Sequence, residues 1–146
     1  MRLTKYRTQL VKEYAINYAG EAPVTSPANV RDILETMFNA SSRVEEHVWQ
    51  ICINTKGQIT GVFELATGSI SSCNADVSGV LRNALLNGAY GTLIAHNHPS
   101  GDPTPSRDDI QVTKRMSQAC DLVGVQFLDH VVIGANSYVS IKESGF

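Results

Sequence analysis

His96 and His98 are separated by one residue near the middle of a 146-residue chain, in a stretch that reads Gly91-Thr-Leu-Ile-Ala-His-Asn-His-Pro-Ser-Gly-Asp-Pro-Thr-Pro-Ser-Arg-Asp-Asp-Ile110. Side chains alternate along extended backbone, so the two imidazoles point to the same side, roughly 7 Å apart at two rises of ~3.3 Å, and can close on one metal ion. After seven residues comes Ser106, and after two more Asp109. Ser106-Arg107-Asp108-Asp109 is a helix start, with Ser106 as N-cap and acidic residues in the first turn favouring the positive end of the helix dipole. Asp109 falls at the third helical position, where the turn aims its carboxylate back at the histidines. Two histidines and one carboxylate leave a fourth tetrahedral position open, as catalytic zinc requires. The expectation is one Zn2+ per chain.

The elements that must position this group follow from patterning. Thr92 to Ala95 is apolar and β-branched, a short buried strand that runs out at the histidines. The helix from Ser106 to about Val123 turns Val112, Met116, Ala119, Cys120 and Val123 inward, and Gly124 ends it. Upstream, residues 3–13 are strand-like with weak alternation, an expected edge strand. Ser26-Pro27 opens a helix to about Ala40 as N-cap and first residue, with Val30, Ile33, Leu34, Met37 and Phe38 on one face. A strand over 46–54, the turn Asn54-Thr55-Lys56-Gly57 and a returning strand over 58–66 make a hairpin. Residues 67–74 read as a loop. Asp76 is the expected cap of a helix over 77–87, with Val77, Val80, Leu81, Ala84 and Leu85 inward. Strands over 125–133 and 137–141 close the chain. The order β-α-β-β-α-β-α-β-β predicts an α/β fold, a mixed sheet covered by helices.

Composition bounds the function. The length fits one domain that buries about 70% of its unfolded surface. A formal charge of −2 with no long basic run argues against a strong electrostatic footprint for nucleic acid. Cys52, Cys73 and Cys120 are odd in number and widely spaced, which indicates neither a disulfide framework nor a thiolate zinc site, and suits thiols in a reducing cytoplasm. Met1 to Leu10 lacks a signal-peptide apolar core, and no apolar run is long enough to span a membrane. Two decoys fall away. The contiguous His-Asn-His is unlike the HNH nuclease pattern, which spreads those letters over a ββα unit. Zinc deaminases need His-x-Glu and a later Pro-Cys-x-x-Cys, whereas His98 occupies the Glu position and Cys-x-x-Cys is absent from the sequence.

The full string, His-x-His, seven residues, Ser, two residues, Asp, resembles the JAMM (MPN+) metallopeptidase motif at His96, His98, Ser106 and Asp109. The longer string from His96 to Asp109, with Leu128-Asp129-His130-Val131-Val132-Ile133-Gly134 downstream, is similar to the RadC-like branch of that family. The resemblance covers residues 26–146, with residues 1–25 as an N-terminal extension too short for the helix-hairpin-helix region common in RadC-family proteins. It implies an α-β-α sandwich of MPN/JAB type with cytidine-deaminase-like layering, and a hydrolase that cleaves a peptide or isopeptide amide with metal-activated water. It also implies a general base, a glutamate on an early strand. The match is Glu46, in the register of the family's Glu-x-Phe-x-x-x-x-Leu-Asp pattern, from which Val48 and Asn54 depart. Glu45 is its rival. Successive residues face opposite ways, so if Glu46 is the base, Val48, Gln50 and Cys52 share its face. By the same resemblance the Ser106 hydroxyl donates to the oxyanion of the tetrahedral intermediate, alongside its capping role.

Other polar residues carry weaker readings. Asp108 is a first-turn dipole partner and Asp102 a turn residue. Asp129-His130 is either a hydrogen-bonded pair at a strand end or a support for the metal ligands. Asn97 and Ser100 shape the loop, and His47 has no evident partner. The expected partner is a peptide or protein substrate, contacted by the 67–74 loop. The alternative is a DNA-repair or DNA-processing protein with weak DNA association, and a third possibility, a scaffold that has lost its ligands, conflicts with the intact motif.

Overall fold

The computed structural model describes residues 1–20, 23–24, 26–68 and 76–145. Helix α1 (Pro27–Phe38) begins as its sequence dictates. Ser26 Oγ accepts from the Asn29 N–H, Pro27 takes the first position, and Asn39 ends the helix in the left-handed conformation at φ 53°. A 3-10 turn (Ala40–Ser42) leads towards β1 (His47–Ile53). The turn to β2 (Ile59–Thr67) is organised by Asn54, whose Oδ1 accepts from the Lys56 and Gln58 N–H groups at 2.9 and 3.0 Å. Gly57, at φ +73°, supplies the left-handed residue this turn needs. There follow α2 (Asp76–Asn87), β3 (Gly91–Asn97), α3 (Arg107–Val123), β4 (Gln126–Ile133) and β5 (Tyr138–Ser140).

The sheet order is β2-β1-β3-β4-β5. β1 pairs antiparallel with both β2 and β3, β3 runs parallel to β4, and β5 returns antiparallel to β4. The parallel pair is joined by α3, the crossover that two parallel neighbours require. Alternation sorts the central strands cleanly. Trp49, Ile51, Ile53, Leu93, Ala95, Val131 and Ile133 pack on α1 with Val30, Ile33, Leu34 and Phe38. Val48, Cys52 and Ile94 pack on the other face against Val80 and Ala84 of α2 and Met116 and Cys120 of α3. The molecule is therefore an α/β, α-β-α sandwich, as expected, with both helices that follow the hairpin on one side. No helix among the described residues is long and apolar enough to cross a membrane.

Three expectations are corrected. Residues 3–13 form no edge strand: residues 1–19 carry no regular structure, and Leu3, Tyr6 and Val11 are exposed. The apolar residues at 3, 6, 10 and 11 do not keep a period of two, so they offer no continuous face to bury. Leu85 points outward from α2, because the helix turns Asn83 inward to donate to Gln50 Oε1 at 3.1 Å. Val123, in the last turn of α3, is likewise exposed. Cys52 and Cys120 are buried free thiols. Cys73 and most of the 67–74 loop lie outside the described residues.

Candidate metal centre

The site is assembled at the C-terminal end of β3. His96 pairs with Val48 of β1 and Val132 of β4 and is fully buried. The chain leaves the strand at His98, whose N–H still donates to the Ile133 carbonyl at 2.9 Å. The two imidazoles face the same side, as alternation requires, with Nε2 atoms 2.9 Å apart. The Pro/Gly loop that follows docks on the turn after β4: Ala135 N–H donates to the Gly101 carbonyl at 3.0 Å. A Cβ at Gly134 would overlap that carbonyl oxygen, so a glycine is needed where the downstream string ends.

Asp109 arrives from α3 through its cap. Ser106 Oγ accepts from the Asp109 N–H at 3.1 Å, and Asp109 Oδ2 accepts from the Ser106 N–H at 2.7 Å. This reciprocal capping box fixes the carboxylate facing the histidines, with Oδ1 3.3 Å from His96 Nε2 and Oδ2 3.4 Å from His98 Nε2. Asp108 is an exposed residue of the same first turn.

Glu46 lies one residue before β1. Its Oε1 is 3.7 Å from His96 Nε2, and one ligand atom from each of Glu46, His96, His98 and Asp109 falls within 4.8 Å of all the others. Val48 and Cys52 share its face with α2 and α3, as does Gln50, which donates to the Val80 carbonyl of α2 at 2.9 Å. Glu45 is exposed and takes part through its backbone: its carbonyl accepts from Asn97 Nδ2 at 3.0 Å. Between the two glutamates, the structure brings Glu46 to the histidines.

The donor set suits a metal ion. Tetrahedral ligands held at about 2.0–2.1 Å from zinc lie ~3.3 Å from one another, and the separations of 2.9, 3.3 and 3.4 Å among His96, His98 and Asp109 need only a small opening. Electrostatics point the same way. Burial alone would push the Asp109 carboxyl up, but hydrogen bonds from His96 and His98, the charge of His96 and the Ser106 N–H outweigh it and hold it well below the usual carboxylate range. The His98 imidazole is raised, chiefly by its hydrogen bond to Asp109, against the opposing effect of burial. His98 Nδ1 faces the Asp102 backbone carbonyl at 2.8 Å. A carbonyl can only accept, so Nδ1 carries a proton; the Nε2 proton that faces Asp109 is the one a metal ion displaces, and neutral His98 then presents a bare Nε2 to the centre.

The neighbours given weaker readings find definite places, and Asn97, expected to shape the loop, lies instead in β3. Asn97 is buried; its Oδ1 accepts from the His47 N–H at 2.7 Å, and its Nδ2 reaches the Glu45 and Arg43 carbonyls at 3.0 and 3.5 Å. It thus holds both sides of Glu46. Its position between the histidines was visible, but its reach across fifty residues was not. His47 stacks on Trp49 and pairs with Glu64 at 2.8 Å. Asp102 Oδ1 accepts from the Thr104 N–H and hydroxyl at 2.9 and 2.6 Å, a turn residue as expected. Asp129 accepts from the His130 N–H, the Ser140 hydroxyl and the Lys142 N–H at 2.7, 2.6 and 3.2 Å, which ties the end of β5 and the residues after it to β4. His130 is fully buried, and desolvation keeps it neutral, well below the ordinary histidine range.

The fold and the site together define an α/β sandwich domain with two histidines and two carboxylates converging at the end of its central strand. The chain belongs to the RadC-like JAB domain family, whose model matches residues 24–146. It is 37% identical over 123 residues to a UPF0758 protein of Coprothermobacter proteolyticus, covering 83% of this chain and 52% of that one. It is 34% identical over 142 residues to a UPF0758 protein of Carboxydothermus hydrogenoformans, covering 97% and 59%. A third, from Caldanaerobacter subterraneus, is 35% identical over 143 residues, covering 97% and 60%. The chain thus spans little more than half the length of these relatives.

Proposed function

We propose that this domain is a zinc-dependent hydrolase of the JAMM metallopeptidase type, which cleaves a peptide or isopeptide amide. The observation that carries this reading is the convergence of His96, His98 and Asp109 with Glu46 alongside, on one face of the sheet. Zinc held by the two imidazoles and the Asp109 carboxylate would supply Lewis acidity and lower the pKa of water from ~15.7 towards ~7. The chain's own residues do the rest. Glu46, 22% exposed at its side chain beside the fully buried His96, is reachable by solvent and acts as the general base, taking the proton of the attacking water and passing it to the departing amine nitrogen. The Ser106 oxygen accepts from the Asp109 N–H. Its own proton is left for the oxyanion of the substrate carbonyl, the role that the family resemblance assigns it.

The proposed partner is a peptide or protein substrate. Metal analysis of the wild type and of His98→Ala, followed by a peptide-library cleavage screen, tests it. About one zinc per wild-type chain, little in the variant, and zinc-dependent cleavage are expected. A wild-type chain that takes up no zinc under metal-replete conditions overturns the reading.

A further inference from the structure

Behind the centre lies a second layer of hydrogen bonds that the reaction does not directly use. His96 Nδ1 is 2.7 Å from His130 Nε2, His130 Nδ1 is 2.6 Å from Thr113 Oγ1, and the Thr113 hydroxyl is 2.7 Å from the Asp109 backbone carbonyl. We propose that His130 and Thr113 are positioning residues, a hydrogen-bond relay that fixes the tautomer of His96 and so turns a bare Nε2 towards the metal ion. The inference rests on the zinc reading above.

The direction of the relay follows from what each atom can do. The Asp109 carbonyl only accepts, so the Thr113 proton points at it. The Thr113 oxygen is then the acceptor for His130, which must carry its proton on Nδ1. Neutral His130 is left bare at Nε2 and accepts from His96 Nδ1–H. In its neutral, ion-binding form His96 is therefore bare at Nε2, the atom 3.3 Å from Asp109 Oδ1 and 2.9 Å from His98 Nε2. Run the other way, with Thr113 donating to His130 and His130 Nε2–H donating to His96, the relay would place a proton on the atom that has to bind the ion.

The contrast with His98 shows why the relay has two members. A ligating histidine ordinarily donates its second N–H to a carboxylate or a backbone carbonyl, and His98 does so directly at Asp102. His96 is buried in mid-sheet and meets another imidazole instead, with the rings 4.8 Å apart at 53°. An imidazole can donate or accept at either nitrogen, so on its own it imposes no direction. Thr113 imposes it by tying the far end to a group that cannot donate. That group is the carbonyl of Asp109, so the relay also links two of the three ligands through a path separate from the ion.

The test compares Thr113→Val, which keeps the shape and removes the hydroxyl, with Thr113→Ser, which restores it. Zinc affinity is read by competition with a chromophoric chelator, and the His130 tautomer by long-range 15N–1H spectra of the zinc-loaded wild type. Expected are a loss of about 10-fold or more in zinc affinity for the Val variant, recovery in the Ser variant, and a His130 proton on Nδ1. Circular dichroism of the metal-free proteins should be unchanged. Equal zinc affinity in wild type and Thr113→Val, or a His130 proton on Nε2, overturns the relay while leaving the zinc reading intact. A wild type that binds no zinc overturns both.

Discussion

The two faces of the sheet are built from the same strands and do opposite work. Towards α1, the middle of β1, β3 and β4 presents Trp49, Ile51, Leu93, Ala95 and Val131, all buried and apolar. Trp49 Nε1, on this face, finds no acceptor among the described residues. Towards α2 and α3, the alternate positions carry Gln50, Thr92, His96 and His130, buried with Asp109. Each of these is hydrogen-bonded: Gln50 Nε2 donates to the Val80 carbonyl and Thr92 Oγ1 at 2.9 and 3.0 Å, and Thr92 donates to the Ile51 carbonyl at 3.1 Å. An unpaired polar group there would cost about 1–3 kcal/mol, so this face has to be wired throughout. The α1 side packs apolar residues alone at its middle, whereas the other side sets a polar arrangement beside its own apolar cluster of Val48, Cys52, Ile94, Met116 and Cys120.

That division can be broken or sharpened by substitution. The largest effect is expected at Glu46. Glu46→Ala should lower amide cleavage by about 10²–10⁴-fold while zinc content stays near that of the wild type; steady-state kinetics with metal analysis checks both, and loss of zinc would recast Glu46 as a ligand. Next comes Leu34, fully buried on the α1 side. Leu34→Ala should cost about 2–5 kcal/mol in urea unfolding of the metal-free protein without changing the zinc affinity of the folded fraction, and a matching fall in affinity would show that the faces are coupled. Smallest is Asn97→Ala, which frees the backbone on both sides of Glu46. It should reduce kcat by about 10–100-fold through misplacement of the base with zinc retained. An unchanged kcat would mean that β1 itself holds Glu46.

How much of this was legible depended on sequence distance. The capping box, the paired imidazoles and the aim of Asp109 lie within fourteen residues of one another, where strand alternation and helix geometry suffice. Glu46 is fifty residues away and came from resemblance; alternation then tied its face to Val48, Gln50 and Cys52, where the structure places it. The supports of the site were only partly legible: one of the two readings of His130, support of the metal ligands, holds, whereas Asn97, expected to shape the loop, ties down the segment around Glu46 instead. Asn97 reaches back to segment 43–47, and His130 meets His96 across 34 positions, contacts that no local pattern encodes. The edge strand expected at 3–13 failed because strand propensity without a face to bury says little. The hairpin at Asn54–Gly57, with its Asn and Gly turn chemistry, appears as read.

One carboxylate closes the start of α3 and also confronts the two imidazoles. The first turn of that helix therefore cannot fray without dismantling the centre, and an occupied centre clamps the turn shut. Amide hydrogens at Asp109 and Ile110 would exchange slowly in the loaded protein and faster once a chelator has stripped it, so the helix end doubles as a built-in gauge of occupancy.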